Sequence, residues 1–401
     1  MGRDLIRTHK IQLQPTVAQE LNLRQAAGVA RHAYNWTLAW WQEEYKKYKN
    51  GERDKAPNGA EASRVLNSIK RDEFPFYLEV TKCAPNHATK HVQKAFTAFF
   101  KGTSKYPQFK SKKKSRVSFT VDCPPTLKLK SKRVLIGKCG WVKMCEELRF
   151  EGKILNSTVF KHAGKWYISI PVELSEPIVR VVTKKAVGVD VGVREYVTSE
   201  GQRSAVPRST RKYEKQLKRA QQNLSRKHPG SKNREKAKLR VQKKHKKISD
   251  VREDWLHKLT TGLSQHEYVA LEDLNVSGMV KNRRLAKSIS DASFYTFRYM
   301  LEYKTDVKLV SRWFPSSKLC SVCGVVRTKL PLNVRTWMCE CGTTHDRDLN
   351  AAINILNETQ ITDESAVTAC GEFLTSAKES GTLDSEVSNL CEAGTTVKKE
   401  E

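Results

Sequence analysis

No apolar run of bilayer-spanning length occurs in the 401 residues, no apolar leader follows Met1, and no sustained basic amphipathic helix carries an aromatic face. Those absences exclude the usual membrane classes, and the chain is expected to be cytoplasmic, with no membrane partner. Acids are scarce: 43 Asp and Glu stand against 73 Lys and Arg, a net charge of +30. Charge of that size argues against a small neutral substrate and for a polyanion, with nucleic acid the first candidate. A secreted disulfide framework is also missing. Only four of the ten cysteines cluster, while Cys83, Cys123, Cys139, Cys145, Cys370 and Cys391 are scattered and read as reduced thiols.

What is present divides along the chain. A short strand is expected within Leu5–Leu13, ended by Pro15; Thr16 then caps a helical stretch from Ala18 to about Lys49 that contains at least one break. After Pro85 a second helix should put Ala88, Val92, Ala95, Phe96, Phe99 and Phe100 on one buried face. The basic loop from Tyr106 to Lys114 interleaves aromatics with cations, so Tyr106, Phe109, Lys110 and Lys112 are candidate contacts for phosphates and a stacked base. From 118 to 182 the chain is β-rich, with strands expected at Val117–Val121, Val134–Ile136, Ile154–Phe160 and Trp166–Pro171. A helical region interrupting a small β domain is the economical reading.

Residues 184–200 read as a hairpin about Gly192 that opens an α/β domain. Between Arg208 and Asp254 two helices are expected, joined at Pro229-Gly230. Their cations, Arg211 and Lys212 among them, would repel one another without a polyanion alongside. The last 44 residues hold ten acids against three lysines, a net of −7, leaving +37 on the rest of the chain; this tail is expected to be disordered.

Three acids occupy distinct settings. Asp190 closes Ala186-Val187-Gly188-Val189-Asp190, Glu272 closes Tyr268-Val269-Ala270-Leu271-Glu272, and Asp348 precedes a helix expected from Asn350 to Leu356. Phosphodiester hydrolysis by two metals needs carboxylates converging on cations roughly 3.5–4 Å apart, and Mg²⁺ suits oxygen ligands. These acids meet that need only if the two strands are neighbours and the helix packs beside them, as in a ribonuclease-H-like fold. Taken singly, each is an ordinary strand-end or helix-end carboxylate that could cap a turn or meet a surface cation. Asp346 could be a cap, a ligand or a base, and Asp273 should point away from Glu272. Cys320, Cys323, Cys339 and Cys341, with a glycine after each pair, have the spacing of a structural Zn²⁺ ribbon; His345 is a weaker alternative ligand.

Taken together, Gly188-Val189-Asp190-Val191-Gly192, Leu271-Glu272-Asp273-Leu274-Asn275, Lys281-Asn282-Arg283-Arg284-Leu285, Phe314-Pro315-Ser316-Ser317 and Asp346-Arg347-Asp348 with Asn350-Ala351-Ala352 resemble TnpB, the OrfB-type family of bacterial insertion sequences. The resemblance runs from near Leu5 to about Asn357. It implies an RNA-guided DNA endonuclease of a transposable element, similar to type V CRISPR effectors, with guide RNA from its own element and double- and single-stranded DNA as partners. The implied fold is multidomain α+β and α/β. A wedge-like β domain (1–15 and 103–183) is interrupted by a helical recognition domain (16–102). A RuvC nuclease domain follows (184–312 and 344–357), with a zinc-ribbon insertion (313–343) and the acidic tail (358–401). By the same resemblance Asp190, Glu272 and Asp348 are the catalytic Mg²⁺ ligands, and Arg283 and Arg284 join the candidate nucleic-acid contacts. Two features depart from the family: the second cysteine pair is Cys-x-Cys, and the segment from Tyr303 to Val310 is short. The competing readings are a guide-dependent DNA-binding repressor without cleavage, an accessory transposase-like protein, and a basic RNA-binding protein with a zinc ribbon.

Overall fold

A computed structural model describes residues 6–122, 127–176, 180–331 and 333–362, so most of the acidic tail lies outside the described residues. The chain forms two compact units, Met1–Ile178 and Val179–Glu401.

Among the described residues the first unit is an eight-stranded antiparallel sheet with three α-helices. Its strands are β1 (Ile6–Gln14), β2 (Ser118–Val121), β3 (Leu127–Lys130), β4 (Arg133–Ile136), β5 (Trp141–Met144), β6 (Lys153–Ile154), β7 (Ser157–His162) and β8 (Lys165–Glu173). They run in the order β2-β7-β8-β1-β5-β4-β3, with β6 also on β8. Alternation in β1 buries His9, Ile11 and Leu13. The stretch expected as one strand from Ile154 to Phe160 is therefore two, and β3 and β5 are too short to stand out from their lysines.

Helix α1 (Val17–Lys49) starts at a capping box in which Thr16 Oγ1 accepts from Gln19 N and Gln19 Oε1 accepts from Thr16 N. The expected break is absent. Leu23, Ala27, Ala30, Tyr34, Leu38 and Trp41 keep helical spacing against the core throughout, and packing of that face outweighs the propensity cost of Gly28. Helix α2 (Gly59–Ile69), unforeseen, packs with α3 (Cys83–Phe100). In α3 the residues Ala88, Val92 and Phe96 are buried, Phe96 stacked on Trp41 with ring centres 5.0 Å apart. Phe100 is 58% exposed, so the apolar face expected of this helix does not stay in the core to its end.

The second unit holds a mixed sheet, ordered β11-β10-β9-β12-β13: β9 (Val187–Val191), β10 (Glu195–Thr198), β11 (Arg203–Ala205), β12 (Tyr268–Glu272) and β13 (Asp306–Val310). The expected hairpin about Gly192 is β9–β10, and β12 lies parallel to both β9 and β13. The short segment before β13 leaves the strand in place: it pairs with β12 from Tyr268↔Asp306 to Glu272↔Val310. The two charged helices are α4 (Ser209–Ser225) and α5 (Lys232–Leu263), the latter capped by Ser231. Helices α6 (Val276–Val280), α7 (Ala286–Ala292) and α8 (Phe294–Glu302) follow β12. Val187, Val189, Val269 and Leu271 face a core with Leu256, Leu263, Phe297 and Leu301, while Tyr268, Ala270 and Val310 face Ile355 and Leu356. Both faces of the central strands are thus covered, which explains their continuous apolar runs.

The last described helix, α9 (347–362), begins three residues earlier than expected and takes in the first residues assigned to the tail. It approaches β9 very closely. A Cβ on Gly188 would stand 2.1 Å from Ala352 O and 2.9 Å from Leu356 N. Only glycine permits that approach, and Ala352, itself fully buried, keeps the facing side thin. We expect Gly188→Ala to push α9 off the sheet and to lower the thermal unfolding midpoint of the chain, at a cost of about 1–3 kcal/mol. A midpoint equal to that of the parent in circular dichroism melts would contradict this packing.

Candidate active site and cysteine cluster

In the β9–β12 ladder Val187 stands beside Val269 and Gly188 beside Ala270. Asp190 and Glu272 each lie two residues further on, so they share one level and one face at the C-terminal ends of strands about 4.8 Å apart. That face is the one α9 covers. Two residues along β9 advance about 6.6 Å from Gly188. One turn back from Ala352 retreats about 6 Å along α9 and reaches Asp348. A bond between Thr359 Oγ1 and Tyr268 OH fixes the helix direction as opposite to that of β9, so Asp348 comes over Asp190.

The electrostatics follow from that convergence. Burial first, then the charges of Glu272 and Asp348, push Asp190 up to about 7, against the weaker opposing pull of Arg347 and Arg335. Among the described residues the Asp190 carboxyl has neither a side-chain hydrogen bond nor an ion pair. Glu272 is also raised by burial, offset in part by the Ser316 hydroxyl, which donates to Oε1 at 2.5 Å. Asp348 is held from the solvent side, both of its oxygens 3.0 Å from Arg335 Nη1. An all-oxygen donor set whose members repel one another fits hard divalent cations.

The neighbouring acids have other work. Asp346 Oδ1 accepts from Leu349 N at 3.0 Å, which makes it the cap of α9, and the same oxygen is 2.8 Å from Arg203 Nη2. Asp273 pairs with Arg298 at 2.7 Å and Arg312 at 2.5 Å, and hydrogen bonds from these guanidiniums hold its carboxyl below the usual range. Two residues in direct contact with the acids are absent from the sequence-based candidates. Ser316 stands in a recognised motif without a role assigned to it, and nothing distinguishes Arg335 from the other cations of the sequence.

Cys320, Cys323, Cys339 and Cys341 converge, their sulfurs all within 4.8 Å of one another, and could hold a structural metal such as zinc. The Cys320–Cys341 and Cys323–Cys339 distances are 3.8 and 3.5 Å. Thiolates around one tetrahedral Zn²⁺ at about 2.3 Å stand about 3.8 Å apart. Gly324 and Gly342, at φ +73° and +84°, close the two turns, so the Cys-x-Cys pair still presents both sulfurs. The Thr343 hydroxyl, 3.4 Å from Cys341 Sγ, helps pull that thiol down to about 6. His345 Nε2 lies 3.0 Å from Cys320 Sγ, beside the cluster. The strands β14 (Thr336–Met338) and β15 (Thr344–Asp346) run from this module to α9, which places Arg335 beside Asp348.

The candidate nucleic-acid contacts fall in both units. Phe109 is 56% exposed and Lys112 is exposed, whereas Tyr106 sets its ring against Phe96 and Phe99. Lys110 lies over the Tyr34 ring at 3.6 Å, and burial lowers its pKa. Arg211, Lys212, Arg283 and Arg284 are exposed; Arg211 Nη2 donates to Ser288 Oγ on α7, the helix that follows Arg283 and Arg284. A further basic surface is not evident from the sequence. Arg133 stands opposite Lys130 in one ladder and Lys143 in the next, beside the exposed Trp141. Like charges directly opposite are unfavourable unless an anion lies over them, and these three have no ion pair among the described residues.

Comparison with known proteins shows the family of the chain. Residues 169–283 match the OrfB_IS605 family, described as "Probable transposase", and residues 294–355 match the Cas12f1-like TNB domain. Residues 1–50 match the OrfB_IS605 helix-turn-helix domain, although the described part is β1 followed by the unbroken α1. A protein of Streptomyces pristinaespiralis named "Putative RNA-guided DNA endonuclease" is 36% identical over 95% of this chain and 94% of its own. The "Putative RNA-guided DNA endonuclease InsQ" of Escherichia coli K12 is 30% identical over 93% and 96%. A chain in a solved Cas12f1–sgRNA–target DNA complex is 15% identical with a TM-score of 0.49, covering 84% of this chain and 82% of that one. With close relatives matched over nearly its whole length and three family domains in order along it, the chain belongs to the OrfB-type, TnpB family of insertion-sequence proteins.

Proposed function

We propose that this chain is an RNA-guided DNA endonuclease of an insertion element and that Asp190, Glu272 and Asp348 are the divalent-metal ligands of its RuvC-type site. The observation that carries the reading is the convergence of three carboxylates on one face, with Asp190 raised to about 7 and its carboxyl in no ion pair among the described residues. Folding such acids together is unfavourable in an empty site and becomes favourable around cations. A pair of Mg²⁺ ions held there would supply an activated water and a stabilised leaving oxygen. The chain does the positioning. Ser316 orients Glu272, Asp346 caps the helix that carries Asp348, and Arg335 ties Asp348 to the cysteine module, for which Zn²⁺ is the proposed metal.

The nucleic-acid partners would be the guide RNA and the DNA it pairs with. The net charge of +30 and the cross-strand cations Lys130, Arg133 and Lys143 suit their phosphates. On this reading the first unit supplies the wedge-like and recognition parts, and the second supplies the nuclease with its zinc ribbon. A repressor that binds without cutting has no need of three converged acids, so the enzyme is favoured.

Two outcomes test this assignment. Asp190→Ala, copurified with RNA from its own locus and given Mg²⁺ and a target with randomised flanks, should lose cleavage by at least about a hundredfold while its RNA affinity stays at the parental level. Cleavage at the parental rate would remove Asp190 from the site. The second outcome concerns pH. Between the ordinary carboxylate value and about 7 the unfolded chain ionises this acid while the folded chain keeps it protonated, so stability falls as pH rises through that window. Below the window both states are protonated and the penalty vanishes. In EDTA, Asp190→Asn should therefore raise the melting temperature more at about pH 8 than at about pH 5, on either side of most of that window. An equal or smaller gain under the alkaline condition would contradict the raised carboxyl.

A further inference from the structure

Helix α8 buries Phe294, Phe297, Met300 and Leu301 and turns tyrosines outward. Tyr295 is 71% exposed, Tyr299 57% and, just past the helix, Tyr303 41%. Four-residue spacing sets them on successive turns of one face. The Tyr295 and Tyr299 rings stand 6.4 Å apart at 9°, and Tyr303 follows Tyr299 at 5.8 Å. A contiguous row of exposed rings adds little to the core behind it and marks an interaction surface.

The row borders a cavity of about 480 Å³, whose walls include Tyr295, Arg298 and Tyr299 of α8, Arg312, and Glu272 with the segment that follows it. We propose that the tyrosine row is a stacking track for single-stranded DNA that continues into this cavity, which lies on the α8 side of the sheet against Val191 and Leu271. The inference rests on the nuclease reading and adds a binding surface to it. Tyr295 and Tyr299 each offer a base-sized planar face, and stacking on such faces accepts any base. The row contains no aliphatic side chain with which a partner helix could interlock, and a chain carrying +30 attracts a polyanion before it attracts another copy of itself.

The test uses the full chain with its copurified RNA in the Asp190→Ala background, so that binding is read without cutting. The probe is a short single-stranded DNA containing 2-aminopurine, whose fluorescence falls on stacking. Changing Tyr295 and Tyr299 together to Ala should weaken binding about tenfold or more and abolish the quench. Changing both to Phe should preserve both readouts, and duplex DNA, whose bases present no free faces, should bind all three proteins alike. Parental affinity and quench in the double alanine variant would overturn the track, as would equal weakening by the Phe pair. A shift from dimer to monomer on sedimentation of the alanine variant would assign the row to a second copy instead. If cognate DNA is cut by the wild type but stacking is unaffected in the alanine variant, the track fails while the nuclease reading stands. Tyrosine-dependent quenching without any wild-type cleavage would instead keep the track and remove the nuclease.

Discussion

The contact on which the candidate site depends is the approach of α9 to β9 at Gly188. Where a Cβ would lie 2.1 Å from a carbonyl oxygen of the helix, no other residue fits without displacing one of the two elements. That single close contact sets the height of Asp348 above the sheet. The β9–β12 register sets Asp190 beside Glu272. The three acids are therefore brought together by backbone packing, 82 residues of chain apart for the first pair and 76 for the second.

Packing of this kind works against electrostatics. The core beneath the sheet, from Val187 and Leu271 to Phe297 and Leu301, supplies the apolar burial that holds the acids in place despite their repulsion. Compensation at the rim is uneven: Arg335 answers Asp348, Ser316 answers Glu272, and the Asp190 carboxyl has no side-chain hydrogen bond or ion pair among the described residues, only the weaker pull of Arg347 and Arg335. A site arranged this way has its strongest unmet demand for positive charge at its centre, which is where a cation would sit.

Much of this is legible in the sequence because the signals are local. Thr16 with Gln19, the apolar strands ending in Asp190 and Glu272, the Pro229-Gly230 turn and the paired cysteines each declare themselves within a few residues. What escapes depends on tertiary partners. The continuity of α1 is enforced by its core face, and the α9 start at residue 347 follows from Asp346 acting as its cap, which spacing alone leaves open. Arg335 and Ser316 gain their roles only because the cysteine module folds back onto the carboxylates. The cross-strand cations of β3, β4 and β5 become visible only when register places them opposite one another.

If Asp190, Glu272 and Asp348 form one cation-binding unit, the most direct measurement is anomalous diffraction at the manganese edge. It would use crystals of the full chain soaked in Mn²⁺, with Asp190→Asn as the comparison. Manganese is expected between the three carboxylates and lost in the variant, with a separate zinc signal among the four cysteines. Manganese bound only elsewhere, or retained unchanged in the variant, would contradict a shared site.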